Sequence, residues 1–172
     1  AIEDHFDSAP ELETLLSRKG KKELLKTSRD ISNLAKFAYV RQKEPKGNAD
    51  AVLAAEHLIG DEPVAVLFGD DLVFGKVPAL KQMIDVYNKY GDPVVSVETV
   101  PRKDVSQYGV IMGKKIGDRL YEVNGTVEKP TPQKAPSCQS MAGKYILTPD
   151  VFKVMKKMKP VNGEVGCTET FG

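Results

Sequence analysis

Apolar residues recur at helical spacing in the first part of this chain and then give way to short, dense apolar runs. Leu12, Leu15 and Leu16 form a stripe that predicts a helix, with Ser8 as its cap, Pro10 in the first turn and Glu11 and Glu13 near the positive end of the dipole. A second amphipathic segment runs from Lys21 to about Leu34, with Lys and Arg on its polar side, as on a solvated helix face. Residues 37–42 read as a strand and 43–47 as the loop after it. Asn48 then caps a helix whose apolar positions Ala51, Val52, Ala55, Leu58 and Ile59 again recur at three and four.

Val64-Ala65-Val66-Leu67-Phe68 is an unbroken apolar run, which predicts a strand covered on both faces. It runs directly into Gly69-Asp70-Asp71. A helix follows from about Pro78, through Leu80, Met83, Ile84, Val86 and Tyr87, to Gly91, and residues 93–100 form the next apolar strand. This order of strands and helices predicts a doubly wound sheet. After Pro101 the rhythm shortens: residues 108–113, 119–123 and 125–130 read as short strands joined in hairpins. Residues 143–147 form a further strand, and Thr148 caps a helix from Pro149 to about Met158. The expected fold is α/β: a mixed, mainly parallel sheet flanked by helices, with a smaller antiparallel region in the second half. The first half suits a nucleotide and the second half another ligand.

The strand end at Gly69-Asp70-Asp71 is the main chemical candidate. Ligands of open α/β sheets bind beyond the carboxyl ends of the strands, glycine allows close approach, and carboxylates suit a Mg²⁺ shared with phosphates. The same three residues are equally the composition of a plain turn. The loop at 43–47 presents backbone N–H groups at a helix start, but its glycine spacing matches neither a dinucleotide fingerprint nor a P-loop. His5 and His57 read as surface or structural groups.

Composition narrows the partners. The 172 residues suffice for one domain or a large piece of one. A net charge of +1 provides no bulk attraction to nucleic acid or an acidic membrane, so an anionic ligand must be caught locally. Cys138 and Cys167 are the two cysteines; they lack metal-site spacing and are too few for a disulfide framework, as in a reducing compartment. No apolar run approaches the ~18 to 20 residues that cross a bilayer, so a cytoplasmic location is expected. The opening residues are already in helical register and the closing ones bring no final element, so both ends are expected to be internal to a longer polypeptide.

Taken in order, Ile2-Glu3-Asp4-His5-Phe6-Asp7, Val40-Arg41-Gln42, Lys46-Gly47, Asp61-Glu62-Pro63-Val64-Ala65-Val66-Leu67 with Gly69-Asp70-Asp71, Gln107-Tyr108-Gly109-Val110, Val127-Glu128-Lys129-Pro130, Ala135-Pro136-Ser137 and Gly143-Lys144-Tyr145-Ile146-Leu147 form a series. The series resembles the bacterial-type UTP–glucose-1-phosphate uridylyltransferases (UDP-glucose pyrophosphorylases) along nearly the whole chain. The resemblance implies a Rossmann-like nucleotidyltransferase sheet and a reaction in which a glucose 1-phosphate oxygen attacks the α-phosphorus of UTP, giving UDP-glucose and pyrophosphate with Mg²⁺. It implies one nucleotidyltransferase domain over residues 1–172, lacking its terminal parts, with a nucleotide side (1–100) and a sugar-phosphate side (101–172). Its partners are UTP, glucose 1-phosphate and UDP-glucose, with no nucleic acid and no membrane; a homo-oligomer is left open.

By position, the resemblance places Gln42 and Gly47 at the uracil, the glutamine amide offering both a donor and an acceptor. Asp70 holds Mg²⁺ and is catalytic, with Gly69 and Asp71 on the nucleotide side and Asp71 behind the metal or beside the ribose. Tyr108 and Gly109 shape the sugar side, Glu128 accepts from glucose hydroxyls, and Lys129, also catalytic, neutralises the sugar phosphate. Phosphoryl transfer needs positioning and charge neutralisation above all, and these residue types supply both. Read alone, Glu128 and Lys129 are an ordinary solvent-facing pair. The chain departs from the family pattern at Asn48-Ala49-Asp50, where a glycine and a histidine are usual, and at 163–169, where Gly-Glu-Ile-Gln-Leu-Thr-Asp is usual. The family's phosphate-gripping glycine-rich segment belongs before residue 1 and its second metal carboxylate beyond residue 172. A sister enzyme using another base or sugar, and a nucleotide-sugar-binding module without catalysis, are the alternatives.

Overall fold

The computed structural model describes residues 2–161 and 163–171. The chain divides into two compact units, Ala1–Arg41 and Gln42–Gly172. In the first, the helical stripes become α1 (Ile2–Phe6), α2 (Pro10–Arg18) and α3 (Lys22–Ser32). The α2 cap is Ala9 and not Ser8, and no side chain caps it. Arg29 Nε donates to Glu13 Oε2 at 2.7 Å between α3 and α2, an exposed pair worth a fraction of a kcal/mol. Residues 37–42 do not form the expected strand. A strand needs a neighbour to complete its ladder, and no ladder among the described residues includes this segment; Phe37 stacks on Phe6 with ring centroids 4.7 Å apart.

The second unit contains α4 (Asn48–Ala54), α5 (Glu56–Ile59), β1 (Val64–Leu67), α6 (Ala79–Tyr90), β2 (Val94–Thr99), β3 (Gly109–Gly117), β4 (Leu120–Glu128), β5 (Gln139–Leu147) and α7 (Pro149–Met155). Every strand pairing among the described residues is antiparallel, which overturns the expectation of a mainly parallel sheet. β1 and β2 do run in the same direction, as the crossover through α6 requires. However, β5 lies between them: Ile146 pairs with Ala65 on one side and Val94 on the other. β5 continues to β3 through Val110 and Ser140, and β3 forms a long hairpin with β4. The three short strands expected after Tyr108 are thus two strands of nine residues each, bulged between Met112 and Gly113.

The main core joins one face of this sheet to the helices. Ala49, Tyr145, Leu147, Val151, Phe152, Met155 and Cys167 are buried together, with Val64, Val66 and Phe68 packed against them. Each large apolar side chain here contributes roughly 1.5–3 kcal/mol by leaving water. Expected to be covered on both faces, β1 alternates instead: Val64 and Val66 face the core, while Ala65 and Leu67 are exposed. A smaller core of Val105, Val110 and Ala135 anchors the proline-rich loop, whose Ala135 carbonyl accepts from Arg102 Nη2 at 2.8 Å.

Candidate functional site

The last residue before the acidic turn extends the ladder: Phe68 N donates to Gly143 O at 2.7 Å. The chain then turns at Gly69 and Asp70, and Asp71 ties the turn back to β5. Asp71 Oδ2 accepts from Gly143 N at 2.6 Å, Oδ1 lies 3.3 Å from Lys144 Nζ, and Lys144 Nζ also donates to the Asp71 carbonyl. Lys144 is only 6% exposed, and a buried charge is tolerable only when paired and hydrogen-bonded. The turn reading holds for Asp71, and it leaves Asp70 free of the turn's hydrogen bonds to Gly143 and Lys144. Asp71 staples the turn, and the exposed Asp70 lines a cleft of about 400 Å³ together with Asn48, Ala51, Val52, Val66, Phe68 and Gly69.

Across that cleft stands the start of α4. Its cap is Gly47 and not Asn48; Asn48 Oδ1 instead accepts from Cys167 N at 2.7 Å. Val165 N donates to Lys46 O at 2.8 Å, and Ala49 N to Val165 O at 3.1 Å. Gly47 has φ of 99°, and a Cβ there would lie 2.3 Å from Val165 O. Gly47→Ala is therefore expected to lose roughly 3 kcal/mol, combining backbone strain with a backbone collision. A denaturant midpoint unchanged from wild type would count against this clasp. Gln42 sits beside the clasp, its Nε2 donating to Gly47 O at 3.1 Å and Asp50 Oδ2 at 2.6 Å.

The residues expected on the sugar side lie where β3 begins and β4 ends. Gly109 pairs with Glu128, and Lys129 N donates to Tyr108 O at 3.1 Å. Lys129 holds a left-handed backbone, φ 45°, which is uncommon outside glycine and clusters at functional sites. Its Nζ lies 3.8 Å from Glu128 Oε1. A Cβ on Gly109 would meet Thr168 Oγ1 at 2.5 Å, and Thr126 Oγ1 donates to Thr168 O at 2.6 Å. One stretch, Val165 to Thr168, thus touches both the loop at Gly47 and the strand ends at Gly109. In the sequence this stretch stands out only as a departure from the family pattern. Its contacts span long chain separations, and the one local trace of them is glycine at positions 47 and 109.

The floor between the two sides is apolar. The Tyr145 ring packs against Phe68 and Phe171, with centroids 5.6 and 5.9 Å away. Burial first, then the charges of Cys167, Glu128 and Asp71, push its phenol well above the usual range. Burial, followed by Glu169, pushes the Cys167 thiol from 9.0 up to about 12. A folded pKa raised above the unfolded one stabilises fully below the lower value and is lost as pH rises through the higher. Stability is therefore expected to fall between pH 9.0 and about 12, and to fall less steeply in Cys167→Ala, as denaturant titrations across that range would show.

Among the described residues there is no group of three or more His, Cys, Asp or Glu that could hold a metal ion. One exposed carboxylate on a cleft wall still fits Mg²⁺, which keeps its waters and takes only one or two carboxylates alongside substrate phosphates. No helix among the described residues is long and apolar enough to cross a membrane.

Over 170 residues the chain is 51% identical to a UTP–glucose-1-phosphate uridylyltransferase, YngB, of Bacillus subtilis (strain 168), covering 98% of this chain and 57% of that protein. It is 48% identical over 171 residues to a UTP–glucose-1-phosphate uridylyltransferase of Staphylococcus epidermidis, covering 98% and 59%. A crystal structure of UDP-glucose pyrophosphorylase complexed with UDP-glucose superposes with a TM-score of 0.85 at 41% identity, over 98% of this chain and 62% of that one. The chain thus spans less than two thirds of the length of these relatives. Residues 8–169 match the pattern of the nucleotidyl transferases, and the chain belongs to that family.

Proposed function

We propose that this chain carries the substrate cleft of a UTP–glucose-1-phosphate uridylyltransferase, as part of a single nucleotidyltransferase domain whose nucleotide side is 1–100 and whose sugar-phosphate side is 101–172. An oxygen of glucose 1-phosphate forms a bond to the α-phosphorus of UTP, the bond to the β-phosphate bridge breaks, and pyrophosphate leaves. The observation that carries the reading is Asp70 on the wall of a cleft that it shares with the start of α4. The likeness to uridylyltransferases supports it.

In this reading Gln42 and Gly47 receive the base, and Gly69 leaves room for the nucleotide to pass close to the turn. Asp70 and the nucleotide phosphates would hold Mg²⁺, which when bound neutralises charge on the phosphoryl oxygens. Asp71 acts behind Asp70, holding the turn in place through Gly143 and Lys144. Lys129 neutralises the sugar phosphate, Glu128 accepts from sugar hydroxyls, and Tyr108 and Gly109 bound the sugar subsite. The protein is placed in the cytoplasm, without nucleic-acid or membrane partners, and a homo-oligomer is compatible with this reading.

The test is pyrophosphate release by the native polypeptide that carries this chain, across a panel of nucleoside triphosphates and sugar 1-phosphates, with Mg²⁺ and with chelator. UTP with glucose 1-phosphate is expected to be fastest and metal-dependent; another preferred pair would make this a sister enzyme. A second reading, a nucleotide-sugar-binding module, is favoured by one feature. Glu169 Oε2, in the segment that departs from the family pattern, is buried without a hydrogen-bond partner. Calorimetric binding of UDP-glucose without turnover would select that reading.

A further inference from the structure

We propose that Asp50 is a specificity-determining residue: it locks the Gln42 carboxamide with Oε1 outward and so selects a pyrimidine whose ring N3 carries a proton, uracil or thymine, against cytosine. The inference rests on the reading of Gln42 as the base-side residue and goes beyond it.

A carboxamide carries two N–H donors on nitrogen and two acceptor sites on oxygen. An unrestrained glutamine is therefore ambiguous. In one orientation it offers acceptor and donor to the N3–H and O4 of uracil; turned over by 180°, it offers donor and acceptor to the N3 and N4–H₂ of cytosine. In this chain the ambiguity is removed from behind. Gln42 Nε2 lies 2.6 Å from Asp50 Oδ2 and 3.1 Å from Gly47 O, and both partners are acceptors. The flipped amide would set an oxygen 2.6 Å from a carboxylate oxygen, so the orientation is fixed by the chemistry of its partners. Both donors face the protein, and what the amide has left for a ligand is Oε1. The expectation that Gln42 offers a base both a donor and an acceptor is narrowed under this proposal: with Nε2 engaged, Oε1 is what remains. Where ring N3 of the base faces this oxygen, an N3–H satisfies it and a bare N3 lone pair is repelled.

The lock is itself held. Gly47, which supplies the second acceptor, is pinned to Val165 by the close approach that only glycine allows, and Asp50 and Gln42 are both half-buried. Asp50 is one of the positions where the chain departs from the family pattern, so the lock belongs to this sequence. A carboxylate in the first turn of α4 also stabilises that helix, but helix stabilisation alone would not change which base is accepted.

The native polypeptide is assayed for pyrophosphate release with UTP, dTTP and CTP, each with glucose 1-phosphate, and kcat/KM is compared for wild type, Asp50→Ala and Asp50→Asn. Wild type is expected to prefer UTP and dTTP over CTP by more than about a hundredfold, since a base that leaves a buried polar group unpaired is rejected strongly. Asp50→Ala removes the closer of the two acceptors and leaves Gly47 O alone to orient the amide, and its UTP-to-CTP ratio is expected to drop by at least about tenfold. Asn at this position still offers Gln42 a carbonyl oxygen and is expected to keep the ratio. Where the alanine variant gives no melting transition, Asp50→Val, close to Asp in volume, carries the same expectation. An unchanged ratio in the alanine or valine variant, or a wild type that uses CTP nearly as well as UTP, overturns the lock while the uridylyltransferase reading stands. A wild type inert toward every pyrimidine triphosphate overturns that reading, and the lock with it.

Discussion

Asp70→Asn is expected to lower metal-dependent pyrophosphate release from UTP and glucose 1-phosphate by roughly a thousandfold, about 4 kcal/mol of transition-state stabilisation. The fold should survive. Asp70 is exposed at the tip of its turn, and the hydrogen bonds that hold the turn run through Asp71, Gly143 and Lys144. Asparagine keeps the size and loses the charge, so the melting temperature should move by no more than about 2 °C. Asp71→Asn provides the contrast. It leaves the buried Lys144 ammonium without its counter-ion and is expected to cost about 3 kcal/mol of stability. Near-normal turnover in the Asp70 variant, or a collapse of its fold, would remove Asp70 from the metal site.

Lys129→Ala and Lys129→Gly are expected to raise the KM for glucose 1-phosphate by about 30- to 100-fold while leaving that for UTP nearly unchanged. A charge-assisted contact to phosphate is worth roughly 2–3 kcal/mol. The two variants should part in stability. At φ 45° a non-glycine residue carries backbone strain that glycine does not, so Lys129→Gly should be about 1 kcal/mol more stable than Lys129→Ala. Arg119, φ 52° at the turn between β3 and β4, is the control: Arg119→Gly is expected to gain similar stability and keep full activity. A change confined to the UTP KM would put Lys129 in the wrong subsite, and equal stability of its two variants would remove the strain.

Much of the local structure was legible in the residues. The stripe at Leu12, Leu15 and Leu16 and the helix ending at Gly91 depend on neighbours three or four positions away, and the strands at Val64 and Val94 on short dense apolar runs, all of which the sequence records. The acidic turn after β1 was legible as a chemical candidate because a glycine and two carboxylates stood at a strand end. The residues themselves did not separate those two carboxylates; only the resemblance did, and it left Asp71 behind the metal or beside the ribose. What separates Asp70 from Asp71 is the backbone N–H of Gly143 and the ammonium of Lys144, which only folding brings near.

By itself, the sequence determined most of the helical segments and which residue types could hold a phosphate, a metal or a base. The tertiary structure alone decided the direction of the sheet, since β1, α6 and β2 look parallel until β5 enters between them. It also decided the clasp of Val165 to Thr168 across Gly47 and Gly109, and the orientation of the Gln42 amide. The reason is common to all three: local periodicity reports which face of an element is apolar, whereas a hydrogen bond between residues far apart in the chain is specified only once both partners have been packed.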